Sequence, residues 1–182
     1  MERIRIIGYC GSGKTYISKK LSIKLDLPMY ELDNFVWDRQ SSEDRRNSDA
    51  ERDAALRKVV NQDKWIIEGV HYTWTYETFS RADVIFVIHS NKWLNDWGII
   101  KRYLKEKTHI EKANYEQSLR LIFKGFGWIH NYDIHEVLAF TETFRQKRII
   151  VRKSQDILKY IERCELPRRQ RDFSDSNGRS QP

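Results

Sequence analysis

Gly8-Tyr9-Cys10-Gly11-Ser12-Gly13-Lys14-Thr15 decides the reading of this chain. The spacing is Gly-x-x-x-x-Gly-Lys-Thr, and each residue type has a chemical reason to stand where it does. Gly8, Gly11 and Gly13 give the main chain conformations closed to other residues, so successive N–H groups can turn inward around an anion. A helix beginning at the lysine adds the positive end of its dipole. Lys14 brings a mobile point charge for the outer phosphates, and the Thr15 hydroxyl is an oxygen ligand suited to Mg²⁺. The eight residues Gly8, Tyr9, Cys10, Gly11, Ser12, Gly13, Lys14 and Thr15 are therefore expected to grip the phosphates of ATP or GTP, with Mg²⁺ bound at Thr15.

The flanking sequence supplies the context this P-loop pattern requires. Ile4, Ile6 and Ile7 form an apolar run that ends in Gly8, as a buried parallel strand does. After the loop, Ile17, Leu21 and Leu25 fall four apart on one helical face, and Leu27-Pro28 stops that helix. Met29–Leu32 reads as a second strand, closed by Asp33. The polar stretch Ser41–Asp53 reads as a mobile loop or the start of an exposed helix, with a helix running from Ala54 toward Lys64. Trp65–Gly69 and Val84–Ile88 are strand-like around a short helix, Thr75–Arg81. A helix from Lys92 to about Lys105 follows, then a mixed stretch to Asp133, a helix over Glu136–Arg145, a strand Arg148–Val151 and a closing helix Ser154–Arg163. Strands alternating with helices call for an α/β fold, a parallel sheet covered on both faces.

Bulk properties bound the rest. The 182 residues suit one domain with a sizeable core, and 40% apolar with 32% charged residues is an ordinary folded composition. No apolar run approaches the roughly 18 residues of a membrane span. No signal peptide is read at the start, and Cys10 and Cys164 have neither disulfide-framework nor metal spacing, so a cytoplasmic protein is expected. The net charge of +7 suits polyanions. Part of that excess crowds into 166–182, read as a flexible basic tail. A nucleic-acid-associated protein with regulatory nucleotide binding is the alternative this charge raises, and its binding would weaken steeply with salt. The chain is read as a monomer or homodimer.

A GTPase reading finds Asn91-Lys92 after the Val84–Ile88 strand, but Leu94 stands where a carboxylate would hold the guanine edge. The chain instead resembles the nucleoside-monophosphate-kinase group of P-loop proteins, and within it the adenylate-kinase-related family labelled "DNA topology modulation protein". The resemblance is carried by Gly8–Thr15, Leu32-Asp33 and Trp37, Trp65-Ile66-Ile67-Glu68-Gly69, Arg81-Ala82-Asp83, Trp93 with Lys101-Arg102, and Lys153-Ser154. It implies a three-layer fold over 1–165, with a parallel five-stranded sheet of order 2-3-1-4-5 and a helical lid over about 105–133. It also implies transfer of the ATP γ-phosphate to a small acceptor such as a nucleotide, a nucleoside or a similar metabolite.

Roles follow from these matches. Lys14, Arg102 and Asp33 are the expected catalytic residues. Asp33 stands at the carboxyl edge of the sheet, where α/β proteins place ligands, and such a carboxylate binds the acceptor or supports Mg²⁺. Asp33, Trp37, Gly69 and Tyr72 are the expected acceptor contacts. Glu68 is expected to order a Mg²⁺-bound water, where the family more often has Asp. The lid is poor in arginine, with Arg120 alone between Arg102 and Arg145. Lysine lacks the two-pronged geometry that arginine would bring there. The five histidines show no metal spacing and are read as ordinary side chains, with His71 a distant candidate for contact near the acceptor.

Overall fold

A computed structural model of the chain describes residues 1–38, 45–90 and 132–164. Its centre is β1 (Arg3–Gly8), whose Ile4, Ile6 and Ile7 are fully buried. In chain order there follow α1 (Lys14–Leu25), β2 (Met29–Glu31), α2 (Asp33–Val36), β3 (Trp37–Asp38), β4 (Arg45–Arg46) and α3 (Asp49–Val60). Then come β5 (Trp65–Glu68), α4 (Tyr76–Arg81), β6 (Val84–Ile88), α5 (Ile134–Phe140), β7 (Arg148–Val151) and α6 over 155–164.

One parallel sheet has the order β2-β5-β1-β6-β7, and β3 and β4 pair separately as a small antiparallel ribbon. With the ribbon set aside, this is the expected 2-3-1-4-5 arrangement. Strand β1 lies between β5, in register Ile4↔Ile66, and β6, in register Ile4↔Val84. Two cores fill the two faces. On one, Ile17 and Leu21 of α1 and Ile157 and Ile161 of α6 meet Ile4, Ile6, Ile66 and Phe86. On the other, Leu56 and Val60 of α3, Phe79 of α4 and Val137 of α5 meet Ile7, Trp65, Ile67 and Val87. Strands buried on both faces read as unbroken apolar runs, which is how β5 and β6 announce themselves.

Of the two readings of Ser41–Asp53, a mobile loop or the start of an exposed helix, the second holds from Asp49, where α3 begins because Ser48 and Glu51 form a capping box. The Glu51 N–H donates to Ser48 Oγ at 3.3 Å and the Ser48 N–H donates to the Glu51 carboxylate at 2.8 Å. Those bonds from Ser48, with Arg45 adding to them, hold the Glu51 carboxyl down at about 2. Strand β2 stops at Glu31, and Asp33 opens a helical turn rather than closing a strand. The helix read over Glu136–Arg145 starts at Ile134, capped by Asp133, and tightens to a 3-10 turn over Thr141–Phe144. The entry to β6 is latched by Asp83. Its carboxylate accepts from the N–H groups of Glu2 and Arg3 at 2.8 and 3.0 Å, and from the Arg3 guanidinium at 2.8 Å.

The helix expected over Lys92–Lys105, nearly all of the lid segment and the tail 166–182 lie outside the described residues.

Candidate functional site

The phosphate loop grows out of the sheet where β1 ends between its neighbours. Gly8 is still strand, and this corrects the expectation that it supplies an unusual conformation. It is glycine because a Cβ there would lie 2.7 Å from the Ile88 carbonyl oxygen across the β1–β6 pairing. Gly11 and Gly13 do adopt the left-handed conformation, with φ of 75° and 83°. A Cβ on Gly13 would also meet Ser154 Oγ at 2.8 Å. Gly13 precedes α1 with no side-chain cap, and no acidic residue stands in the first turn, so the positive end of the helix faces the loop. Tyr9 is buried and Cys10 packs against the core, which leaves their main chain to line the loop.

The two reactive side chains of the motif are held in place. Lys14 is buried, and its Nζ donates to the Tyr9 carbonyl at 2.7 Å. The Thr15 hydroxyl donates to Glu68 Oε1 at 2.5 Å, which joins the start of α1 to the end of β5. Burial pushes the Glu68 carboxyl above the ordinary range, against the opposing pull of the Lys14 charge and the Thr15 hydroxyl. The nearby carboxylates Glu31 and Asp33 push it the same way as burial. Ser12 Oγ is buried and has no hydrogen-bond partner among the described residues. A cradle lined by an unused hydroxyl, a buried ammonium and an open helix end fits a polyphosphate. A hydroxyl bonded to a carboxylate beside it fits a hydrated divalent cation.

Across the sheet edge lies a second group of side chains. Asp33 is exposed at the start of α2, and its Oδ1 is 3.5 Å from His71 Nε2. The His71 ring packs on Trp74 with centroids 5.3 Å apart, and the Arg52 guanidinium of α3 lies 4.3 Å from the Trp74 ring centre. Trp37 sits in the β3–β4 ribbon and is 40% exposed. Tyr72 donates to Glu136 of α5, a bond that with burial pushes its hydroxyl up to about 12. Gly69 has φ of 153°, and a Cβ there would lie 2.7 Å from Leu32 Cβ. Its N–H donates to the Ile6 carbonyl and its own carbonyl accepts from Arg5, so Gly69 shapes the loop with both main-chain groups already paired. Arg102 lies outside the described residues.

Several members of this neighbourhood were not singled out from sequence. Tyr132 donates to the Val70 carbonyl at 3.0 Å and packs edge-on against Tyr9 at 5.4 Å, so it bridges the phosphate loop and the loop after β5. Arg5 lies fully buried beneath that same loop. An arginine at every second position of an apolar strand, Arg3 and Arg5, was the one signal available. A groove of about 820 Å³ lies elsewhere, along the free edge of β2 between Lys19, Phe35 and Lys58. It is lined by no residue of the phosphate loop and by neither Asp33 nor His71. Size alone does not make it the reactive site.

No protein-family model matches the sequence, and no curated protein matches it. Solved structures do match. A shikimate kinase from Bacteroides thetaiotaomicron is 16% identical over 90% of this chain and 96% of its own, with a TM-score of 0.54. The shikimate kinase from Acinetobacter baumannii in complex with shikimate is 14% identical over 91% and 96%, with a TM-score of 0.51. A gluconokinase from Sinorhizobium meliloti 1021 is 14% identical over 78% and 97%, and its TM-score of 0.42 is too low to bear weight. Identities this low speak for the fold alone. The chain has the fold of the P-loop kinases, with a parallel five-stranded sheet between two helical layers and the phosphate loop after its central strand.

Proposed function

We propose that this chain is a phosphotransferase that moves the γ-phosphoryl group of ATP, or of GTP, to a small acceptor. The observation that carries the reading is the Thr15–Glu68 bond at 2.5 Å beside the buried Lys14 ammonium. It sets a hydroxyl, a carboxylate and a cation together at the mouth of a glycine cradle. In this reading the N–H groups of 9–15 bind the phosphates and Lys14 neutralises charge on the transferring group. Thr15 directly, and Glu68 through a water, would hold Mg²⁺, which supplies further charge neutralisation at the phosphate oxygens. Asp33, with His71 beside it, faces the acceptor. It orients the acceptor nucleophile toward the γ-phosphorus, so that the new O–P bond forms in line as the bond to the β-phosphate oxygen breaks. Trp37 and Tyr72 border the acceptor, and Arg102, just before the lid, would neutralise charge on the transferring phosphoryl group. The acceptor is a nucleotide, a nucleoside or a similar hydroxyl-bearing metabolite. The closer kinship with the adenylate-kinase-related "DNA topology modulation" type rests on the short motifs around Asp33, Glu68 and Asp83.

The test is ADP release from Mg·ATP in the presence of nucleosides, nucleoside monophosphates, shikimate and sugar acids, with Lys14→Ala as the control. At least one acceptor should accelerate release well above the control rate. Equal rates in both proteins across the whole panel would remove the phosphotransferase reading.

A further inference from the structure

Arg5 occupies the middle of the central strand with none of its surface exposed. Arginine is among the residues least often fully buried, and burial pulls its guanidinium down to about 10 against the opposing influence of Tyr132 and Glu68. Its contacts are carbonyls. Nη1 donates to Ile6 O at 2.6 Å and to Ile67 O at 3.3 Å, while Nη2 donates to Gly69 O at 3.3 Å and to His71 O at 2.7 Å. The Phe79 ring centre lies 4.9 Å from the guanidinium carbon. The chain turns after β5, with Gly69 at φ of 153° and a bend at Val70, and the turn brings the carbonyls of 67, 69 and 71 within reach of one planar fork.

Main-chain pairing between β1 and β5 ends at Ile6↔Glu68. Beyond it, the Arg5 side chain takes over as donor and carries the hold as far as His71. A buried charge is a poor way to gain stability, since apolar residues of like volume often serve as well or better. What an apolar residue cannot do is fix those three carbonyls. The loop so fixed presents His71 to Asp33, and the His71 carbonyl takes a second bond from Thr75 Oγ1 at 3.0 Å.

We propose that Arg5 is a positioning residue for the acceptor side of the site, holding the main chain of 67–71 so that His71 stands against Asp33. The proposal rests on the phosphotransferase reading for its functional consequence. Its structural half stands without that reading. None of the Arg5 hydrogen bonds goes to residues 9–15, where Lys14 on the Tyr9 carbonyl and the start of α1 hold the phosphate loop. Tyr132 and Glu68 link that loop to 67–71, so loss of the fork acts first on the acceptor side and more weakly on the nucleotide.

The experiment compares Arg5→Lys, which keeps charge without the fork, and Arg5→Met, which keeps volume without charge, with the unaltered chain. Three quantities are read: Mg·ADP affinity, the response of the His71 ring NMR signal to Asp33→Asn, and the KM of whichever panel acceptor most accelerates ADP release. Mg·ADP affinity is expected to fall by about threefold at most, less than the effect on the acceptor, because Arg5 reaches the phosphate loop only through Tyr132 and Glu68 among the described residues. The His71 response to Asp33→Asn should shrink in both variants, and acceptor KM should rise about tenfold or more, the scale of misplaced reacting groups. An undiminished His71 response overturns the proposal. So does a loss of Mg·ADP affinity that matches the loss at the acceptor, because that is general loosening. If no acceptor works, the phosphotransferase reading falls, while the His71 measurement still judges Arg5. If neither variant folds, backbone order parameters of the unaltered chain decide. Values at Gly69, Val70 and His71 near the rigid level of about 0.85 support the clamp, and values below about 0.6 refute it.

Discussion

Gly13→Ala is expected to damage this protein in two separable ways. The first is conformational. At φ of 83° an alanine pays the left-handed penalty of about 1–2 kcal/mol. The second is steric. The new methyl would lie 2.8 Å from Ser154 Oγ and 3.4 Å from Ser154 Cβ, so the hydroxyl must rotate away at about 0.5–1.5 kcal/mol. Together they give about 1.5–3.5 kcal/mol, which for a chain of this length lowers the melting temperature by about 3–14 °C. Urea unfolding followed by tryptophan fluorescence measures the cost. Ser154 lies just after β7 and is buried, with one long 3.5 Å contact to Gln155, so Ser154→Ala alone should be close to neutral. The double substitution Gly13→Ala with Ser154→Ala should recover the steric share, about 1 kcal/mol, and leave the conformational share. Mg·ATP affinity should fall in Gly13→Ala and stay low in the double variant, because φ is unrelieved. Strict additivity of the two substitutions, or a Gly13→Ala cost below about 0.5 kcal/mol, would refute the reasoning.

Glu68→Gln should raise thermal stability without nucleotide by about 1 kcal/mol, a gain common where a strained functional group is removed, while abolishing the Mg²⁺ dependence of ATP binding. Because the folded state raises the Glu68 pKa, the carboxylate's penalty is absent below the unfolded value and grows as pH rises through the folded one. The gain should therefore vanish in melting curves taken below about pH 4. Asp83→Asn should act with the opposite sign. Burial pushes the Asp83 carboxyl up, but the Glu2 and Arg3 amides and the Arg3 guanidinium outweigh it and hold it low. The latch should contribute about 1–2 kcal/mol near neutrality and be lost as pH falls below about 4, so urea midpoints of the variant and the unaltered chain should converge there. Tyr72→Phe should leave the fold intact, and calorimetry should show less than about 1 kcal/mol of change, since the Glu136 partner it abandons is exposed.

Pattern in the sequence carried the sheet because its signal is redundant. Ile66 and Ile67, and Val84 through Ile88, are apolar on both faces, and only a buried parallel strand needs that. The phosphate loop was legible because its chemistry admits few substitutes at Gly13, Lys14 and Thr15. The start of α3 was also written in the chain, as Ser48 and Glu51 three apart, but the surrounding charge obscured it. The β3–β4 ribbon was not legible, since two-residue strands have no period to detect. The acceptor side was legible only in part. Asp33 follows a strand and stands out, whereas its contact with His71 joins residues 38 positions apart through a loop that Arg5 and Thr75 shape. No local pattern encodes a side chain reaching three carbonyls at the end of a neighbouring strand and in the loop beyond it.

The bonds at Lys14 and Thr15 have a consequence for discrimination. Each working group already has an internal partner, the Tyr9 carbonyl for the ammonium and the Glu68 carboxylate for the hydroxyl. An ammonium has three donors and a donating hydroxyl keeps its lone pairs, so both groups can hold these partners and still take a phosphate and a cation, and a ligand without the cation meets only half of the mouth. Orthophosphate, which brings no cation to the Thr15 hydroxyl, should compete feebly with a metal-chelated triphosphate.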